Sequence, residues 1–204
     1  MTEKLVLSLP FRVALLGAFV GFAVAASPAT TGGGGNVLPS NAKSKGYSLA
    51  DAAAATAVFD TGPHDATPPN LPFYTLVHDA TVKPGTMLYV PIFHADDSGE
   101  DAGKLPADVT DPQAAADYLM GVVSAFGVDE FIIVVDGEVT VLDDSNIHGL
   151  NTPPLLDGPP AGTKYIVSGT FVSPLTKGEH TIGIGGIIDG EPVVFVSYDV
   201  TVGK

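Results

Sequence analysis

Phe131-Ile132-Ile133-Val134-Val135-Asp136-Gly137-Glu138-Val139-Thr140-Val141-Leu142 decides the fold class of this chain. Two runs rich in β-branched residues flank Asp136-Gly137, a dipeptide that accepts the positive φ angles of a two-residue type I′ turn. The stretch therefore predicts an antiparallel hairpin. A second pair, Asp189-Gly190, separates residues 179–188 from residues 193–202 and predicts another. In the last run Val194, Val196, Tyr198, Val200 and Val202 alternate with Phe195, Ser197, Asp199 and Thr201. Such alternation marks a half-buried strand of an antiparallel sheet. The shared Asp-Gly-Glu of the two turns is common turn chemistry, not an internal repeat.

Working outward, residues 164–172 read as a further strand, and residues 143–162, rich in Pro, Gly and Asn, as a long loop. Upstream, residues 73–82 and 86–93 are apolar and β-rich, and Lys83-Pro84-Gly85 between them is turn chemistry, so the two predict a hairpin. Pro91 interrupts the second run. It has no N–H for a sheet ladder and implies an edge or a bulge there.

Two helices fit between these elements. Ser48-Leu49-Ala50-Asp51 resembles a capping box and starts a short helix ending near Phe59, with Leu49, Ala52, Ala53 and Thr56 at helical spacing. It is expected to cross an open end of the β structure or to be mobile. Asp111 caps a stronger helix near residues 112–126, with Pro112 in its first position and Gly127 at its end. Ala115, Leu119, Val122, Val123 and Phe126 share one face. The fold expected is mainly β: an antiparallel β-sandwich, immunoglobulin-like or jelly-roll-like, with one short N-terminal helix and one inserted amphipathic helix.

Residues 1–26 read as a secretory signal peptide. Lys4 and Arg12 precede the apolar residues 13–22, and Ala23-Val24-Ala25 offers a small-x-small cleavage site. Residues 27–46, including Gly32-Gly33-Gly34-Gly35, read as a flexible linker. Residues 47–204 form the single folded domain. The expected location is secreted, periplasmic or cell-surface, with no membrane attachment after cleavage.

The 204-residue chain is 45% hydrophobic and carries a net charge of -14 with nine Lys and Arg. Arg12, in the leader, is the only arginine. Phosphate backbones are held by Lys and Arg, so nucleic acid is excluded as a partner. Protein or glycan ligands and divalent cations suit this charge better. The chain has no cysteine, which excludes thiol catalysis, cysteine-linked lipidation and disulfide stapling.

Four acidic residues, Asp96, Asp97, Glu100 and Asp101, follow the strand of residues 86–93 and are the candidate metal ligands. Their oxygens suit Ca²⁺, which takes six to eight hard ligands, although the spacing is not that of an EF-hand. Asp143, Asp144 and Asn146 form a second cluster. The histidines, His64, His78, His94, His148 and His180, show no zinc spacing. His94 and His180 read as single hydrogen-bonded strand residues, and the alternative is that they meet at one end of the sandwich beside Asp96. No G-x-S-x-G elbow occurs, and Ser168, Ser173 and Ser197 have no neighbouring histidine in sequence. Without Trp, sugar stacking would fall to Tyr and Phe.

Val82-x-Pro84-Gly85-Thr86-x-Leu88-Tyr89-Val90-Pro91-Ile92 and Leu175-x-x-Gly178-x-His180-Thr181-Ile182 together resemble a pair of motifs found in uncharacterised secreted bacterial β-sandwich proteins. The second motif also resembles the ending of immunoglobulin-like and fibronectin-like modules. The resemblance covers roughly residues 73–202 and lacks the aromatic helix expected ahead of the first motif. It implies a fold and an exported location, and no catalytic residues. The function expected is non-enzymatic: binding, adhesion or surface assembly. The alternative is a small secreted carboxylate- or metal-dependent hydrolase acting on glycans.

Overall fold

A computed structural model describes residues 30–31, 35–60, 71–97, 103–152 and 163–203. The expected leader, residues 1–26, lies outside these residues, as do His64, Glu100 and Asp101. The elements run β1 (Thr30–Thr31), α1 (Leu49–Asp60), β2 (Phe73–Thr75), β3 (Ala80–Val82), β4 (Met87–Asp96), α2 (Pro112–Ser124), β5 (Val128–Val135), β6 (Glu138–Leu142), β7 (Ile147–Thr152), β8 (Thr163–Val172), β9 (Gly178–Ile188) and β10 (Glu191–Val202). A 3₁₀ turn, Asp144–Asn146, precedes β7. The protein is mainly β, with two helices and two mixed sheets that do not close into a barrel. Sheet A has the order β1-β6-β5-β9-β10-β3, and sheet B the order β2-β4-β8-β7.

Both Asp-Gly turns form as expected. Asp136 and Gly137 have φ of 51° and 86°, and Asp189 and Gly190 have 52° and 80°. They join β5 to β6, with Val135 opposite Glu138, and β9 to β10. The sheets are not wholly antiparallel, because β1 pairs with β6, β3 with β10 and β2 with β4 in parallel. Residues 73–82 account for two of these pairings. They make two strands, one in each sheet, so the chain changes sheet between Thr75 and Ala80 instead of forming a hairpin with β4. Pro91 does mark a bulge, where the β4–β8 register shifts between Pro91 and Phe93.

One face of each sheet contributes to a shared core. Sheet A supplies Phe131, Ile133, Val135, Ile182, Ile184, Val200 and Val202; sheet B supplies Leu88, Val90, Ile92, Ile166 and Val172. Burying an aliphatic side chain of this kind contributes about 1.5–3 kcal/mol.

Helix α2 adds Ala115, Ala116, Leu119 and Val123 to that core and packs against β5 and β7. Asp111 caps it by accepting the Gln113 N–H at 3.0 Å. Two members of the expected apolar face fall away from it: Val122 is half-buried and Phe126 exposed. The helix ends at Ser124, so Phe126 follows the last turn and is no longer carried on its stripe. Gly121, exposed on α2 with open space around its missing Cβ, should gain from substitution. Gly121→Ala is expected to raise the unfolding free energy by about 0.5–1 kcal/mol in a urea titration.

The capping box of α1 is complete. Ser48 N–H donates to Asp51 Oδ2 at 2.9 Å, and Asp51 N–H to Ser48 Oγ at 3.2 Å. The Ser48 hydroxyl, which donates to Asp51 Oδ2 at 2.7 Å, and then the Ser48 N–H hold the Asp51 carboxyl below its ordinary pKa. The helix does not cross an open end. It lies on the outward face of sheet B, where Leu49, Ala52, Ala53 and Ala57 cover Phe73, Tyr89, Tyr165, Val167 and Phe171. Small alanines let the helix approach closely, and the aromatic floor supplies the area.

Composition also misplaced part of the linker. Within residues 27–46, Val37 is 4% exposed and bridges Val172, Leu38 N–H donates to Phe171 O at 2.9 Å, and Thr30–Thr31 pair with Thr140–Val141. Main-chain pairing ties this stretch down although few of its side chains could build a core.

Candidate functional site

The hairpin register builds a concavity of the surface. Phe131 pairs with Leu142, so Asp129 and Glu130 at the start of β5 stand opposite Asp143 and Asp144 after β6. Helix α2 closes the third side with Ala116, Asp117 and Met120. The groove measures about 650 Å³. Met120, Phe131, Leu142 and Ile147 supply its apolar lining, and Asp117, Asp129, Glu130, Asp143 and Asp144 its acidic groups.

Two of these carboxylates have structural tasks. Asp143 caps the 3₁₀ turn through the Ser145 N–H at 2.8 Å and also accepts the Ser145 hydroxyl. Asp117 accepts Gln113 Nε2 at 2.7 Å. Asn146, the third member of the expected second cluster, turns inward, is 5% exposed and donates to Gly169 O at 3.2 Å. An apolar floor under a rim of negative charge attracts cations and the side chains of Lys and Arg, with a strength that salt screens.

The acidic loop after β4 is a separate place. Asp96 closes β4 opposite Tyr165. Asp97 accepts the Gly103 N–H, and its own N–H donates to Lys164 O at 3.0 Å. Glu100 and Asp101 lie outside the described residues. Among the described residues, no three acidic or histidine side chains are grouped to hold a metal ion.

Among the described residues the histidines do not gather into one site. Phe93 stacks on Phe131 near the start of β5, with centroids 6.1 Å apart, whereas His180 bonds to Asp136 just beyond the end of that strand. His94 stacks on Tyr165, at 5.4 Å, and shares the outward face of sheet B with His148. Burial of His148 lowers its pKa. His78 is exposed, with Nδ1 2.8 Å from Asp79 O. The alternative cluster of His94, His180 and Asp96 therefore does not form, because their strands belong to different sheets and opposite ends of β5. Ser168 is fully buried, so its hydroxyl is closed to a substrate.

His180 instead fastens the fold. Nδ1 lies 2.7 Å from Asp136 Oδ2, and Nε2 lies 2.8 Å from Thr176 O. Asp136 Oδ1 also accepts the Thr181 N–H at 2.9 Å. A carboxylate and a carbonyl can only accept, so both ring nitrogens donate and the imidazolium fits best. The Asp136 hydrogen bond, then that to Thr176, raises the His180 pKa above its ordinary 6.5. The sign follows. Stability from this raised group is fully present below pH 6.5 and is lost as pH rises through the folded-state pKa. The stability difference between wild type and His180→Gln is expected to shrink between pH 6 and 9, measured by thermal melts. His148, with its lowered pKa, acts in the opposite sense and cancels in this comparison. A difference constant with pH would refute the protonated clamp.

Sequence reasoning passed over Asp117, Asp129 and Glu130. The signal was present: a type I′ turn at 136–137 fixes the register and faces Asp129-Glu130 with Asp143-Asp144. It also passed over the outward face of sheet A. Ile132, Val134, Val139 and Val141 form a second apolar cluster there, joined by Ile187 and Val194. The unbroken apolar run of β5 was its signal, since a strand covered on one side alternates.

No family model matches the chain, and no curated protein or solved structure is significantly similar to it.

Proposed function

We propose that the chain is an exported β-sandwich protein that works by non-covalent association, in binding or surface assembly, and not by catalysis. The observation that carries this reading is the apolar outward face of sheet A, with Ile132, Val134, Val139 and Val141 side by side. A sheet needs one apolar face for its own core; in sheet B the second is covered by α1, whereas among the described residues no helix lies over that of sheet A. Removal of a leader such as residues 1–26 leaves this face on the exported chain. The sandwich reading is supported by the shared core and by the change of sheet between β2 and β3, a known device of two-sheet folds. The motif pair that resembles secreted sandwich proteins falls on β3–β4 and on the approach to β9, in scaffold strands.

The glycan-hydrolase reading requires acids and histidines converging on one pocket. Asp96, Asp143 and His180 occupy separate regions, and nothing in the geometry favours that chemistry.

The chain beginning at Ser27 is the form to test. In sedimentation velocity across 1–100 µM (about the range of weak to moderate association) it is expected to self-associate, and Val139→Lys to abolish this with the fold intact by circular dichroism. A monomer at every concentration, or a hydrolase activity removed by one carboxylate substitution, overturns the reading.

A further inference from the structure

We propose that the open edge of β10 takes up an extended strand from a protein partner, a segment that is apolar in its middle and carries Lys or Arg at its ends.

The edge exists because β3 is short. β10 runs from Glu191 to Val202, and β3 pairs only with Val200–Val202. Along residues 191–199 β10 pairs with β9 on one side, and among the described residues no strand lies on the other. One bond gives the direction of the main chain. Asp199 donates its N–H to Asp79 Oδ1 at 2.9 Å, away from β9. Backbone direction alternates along an antiparallel strand, so two residues earlier the N–H and C=O of Ser197 also point to the open side. Main-chain groups turned out of a sheet edge are what an added strand pairs with.

The side chains along this edge are apolar. Pro192, Val193, Val194 and Val196 are half-buried, and Phe195 is 47% exposed. Phe195 is the extra residue of a bulge, since Val194 faces Gly185 and Val196 faces Ile184. The bulge turns its ring over Gly186, where a Cβ would meet Phe195 Cζ at 3.4 Å. An aromatic side chain fixed in place yet open to solvent is an anchor for an incoming chain. A strand laid along the edge would cover Val194 on the outward face of sheet A and Val196 on the inner one.

Charge selects the occupant. From Gly178 to Gly203 the chain holds Glu179, Asp189, Glu191 and Asp199 and no Lys or Arg. Asp189 and Glu191 are exposed at one end of the open edge, and Asp199 is exposed at the other. Lys or Arg at the ends of the incoming segment complements them. A second copy does not. Twofold antiparallel pairing centred on Phe195 would set Glu191 of each copy opposite Asp199 of the other, between chains of net charge -14. Pro192 and the bulge, devices that blunt an edge against its own kind, act in the same sense.

The test uses the chain beginning at Ser27, tethered at low density through Lys43→Cys, the one thiol, on an exposed loop beside α1. Tethering keeps self-association out of the measurement. The probe is a peptide of about nine residues, a common strand length, alternating valine and threonine with lysine at both ends. Surface plasmon resonance is expected to give a Kd of about 10–100 µM. The same peptide ending in glutamate should bind about tenfold more weakly. One N-methylated at alternate residues, which cannot pair, should not bind. Ser197→Pro removes an edge N–H that β9 does not use, and Phe195→Lys alters a side chain already in solvent. Each should abolish binding with the fold intact by circular dichroism. No binding of the lysine-ended peptide at about 1 mM overturns the proposal, as does equal binding of the glutamate-ended one. Binding unchanged in both variants also overturns it, as when Asp129 and Asp144 of the groove hold the peptide. A dimer of the free chain that Phe195→Lys abolishes would give the edge to a second copy and overturn it too. Whether the outward face of Ile132 and Val139 associates does not enter these outcomes, so the two readings fail separately.

Discussion

Gly149→Ala is expected to lower the unfolding free energy by about 3 kcal/mol or more, at the upper end of overpacking effects. A Cβ at position 149 would stand 1.8 Å from Val109 O and 2.7 Å from Val109 C. No rotamer change relieves a contact with backbone, so β7 or the loop ahead of α2 must move. That loop is held elsewhere: Lys164 Nζ donates to Pro106 O at 2.6 Å, and Val109 is itself 1% exposed in the core. Shifting it disturbs the approach to the Asp111 cap, and with it the helix that walls the acidic groove. Urea unfolding followed by circular dichroism should show a lower midpoint with an unchanged slope. A loss below about 0.5 kcal/mol, the range of ordinary surface changes, would mean that the loop yields freely.

Gly149 also shows where sequence reading stops. A glycine in a strand reports some close approach, but not to what; Val109 lies forty positions away in sequence. Features settled by local chemistry were legible. The type I′ turns follow from Asp-Gly, the start of α2 from Asp111-Pro112 and that of α1 from Ser48 and Asp51. Features settled by non-local pairing were not. Residues 73–82 have a strand composition throughout, and nothing local marks the crossing that sends Phe73–Thr75 to β4 and Ala80–Val82 to β10. Parallel pairing has no turn to announce it. The candidate site divides in the same way. Acid composition pointed to Asp96 and Asp97, whereas the groove arises from strand register, which brings Asp129 and Glu130 to Asp143 and Asp144. The outward apolar face lay between these cases. The run from Phe131 to Val135 carried its signal, but one apolar strand does not say which layer covers it.

Phe171→Ala is expected to cost about 3–5 kcal/mol, the range for a fully buried aromatic truncated to Ala. Its site explains why the loss should spread unevenly. Phe171 is 1% exposed on the outward face of sheet B, with ring centroids 5.5 Å from Phe73 and 5.8 Å from Tyr89, both edge-on. The three rings form the floor under α1, and that helix meets the floor mainly with Leu49 and alanines. Alanines contribute little area of their own, so the helix depends on the breadth of the aromatic surface beneath it. The Phe171 carbonyl also accepts the Leu38 N–H, which ties the segment leading to α1 to the same strand. Removing the ring should therefore loosen α1 before the remainder. Hydrogen exchange at low denaturant is expected to rise across Leu49–Asp60 while the amides of β5 and β9, in the other sheet, keep their protection. Phe171→Leu, which retains much of the volume, should cost less and leave α1 protected. Uniform loss of protection in both sheets, or a total cost below about 1 kcal/mol, would show that α1 is held by something other than this floor.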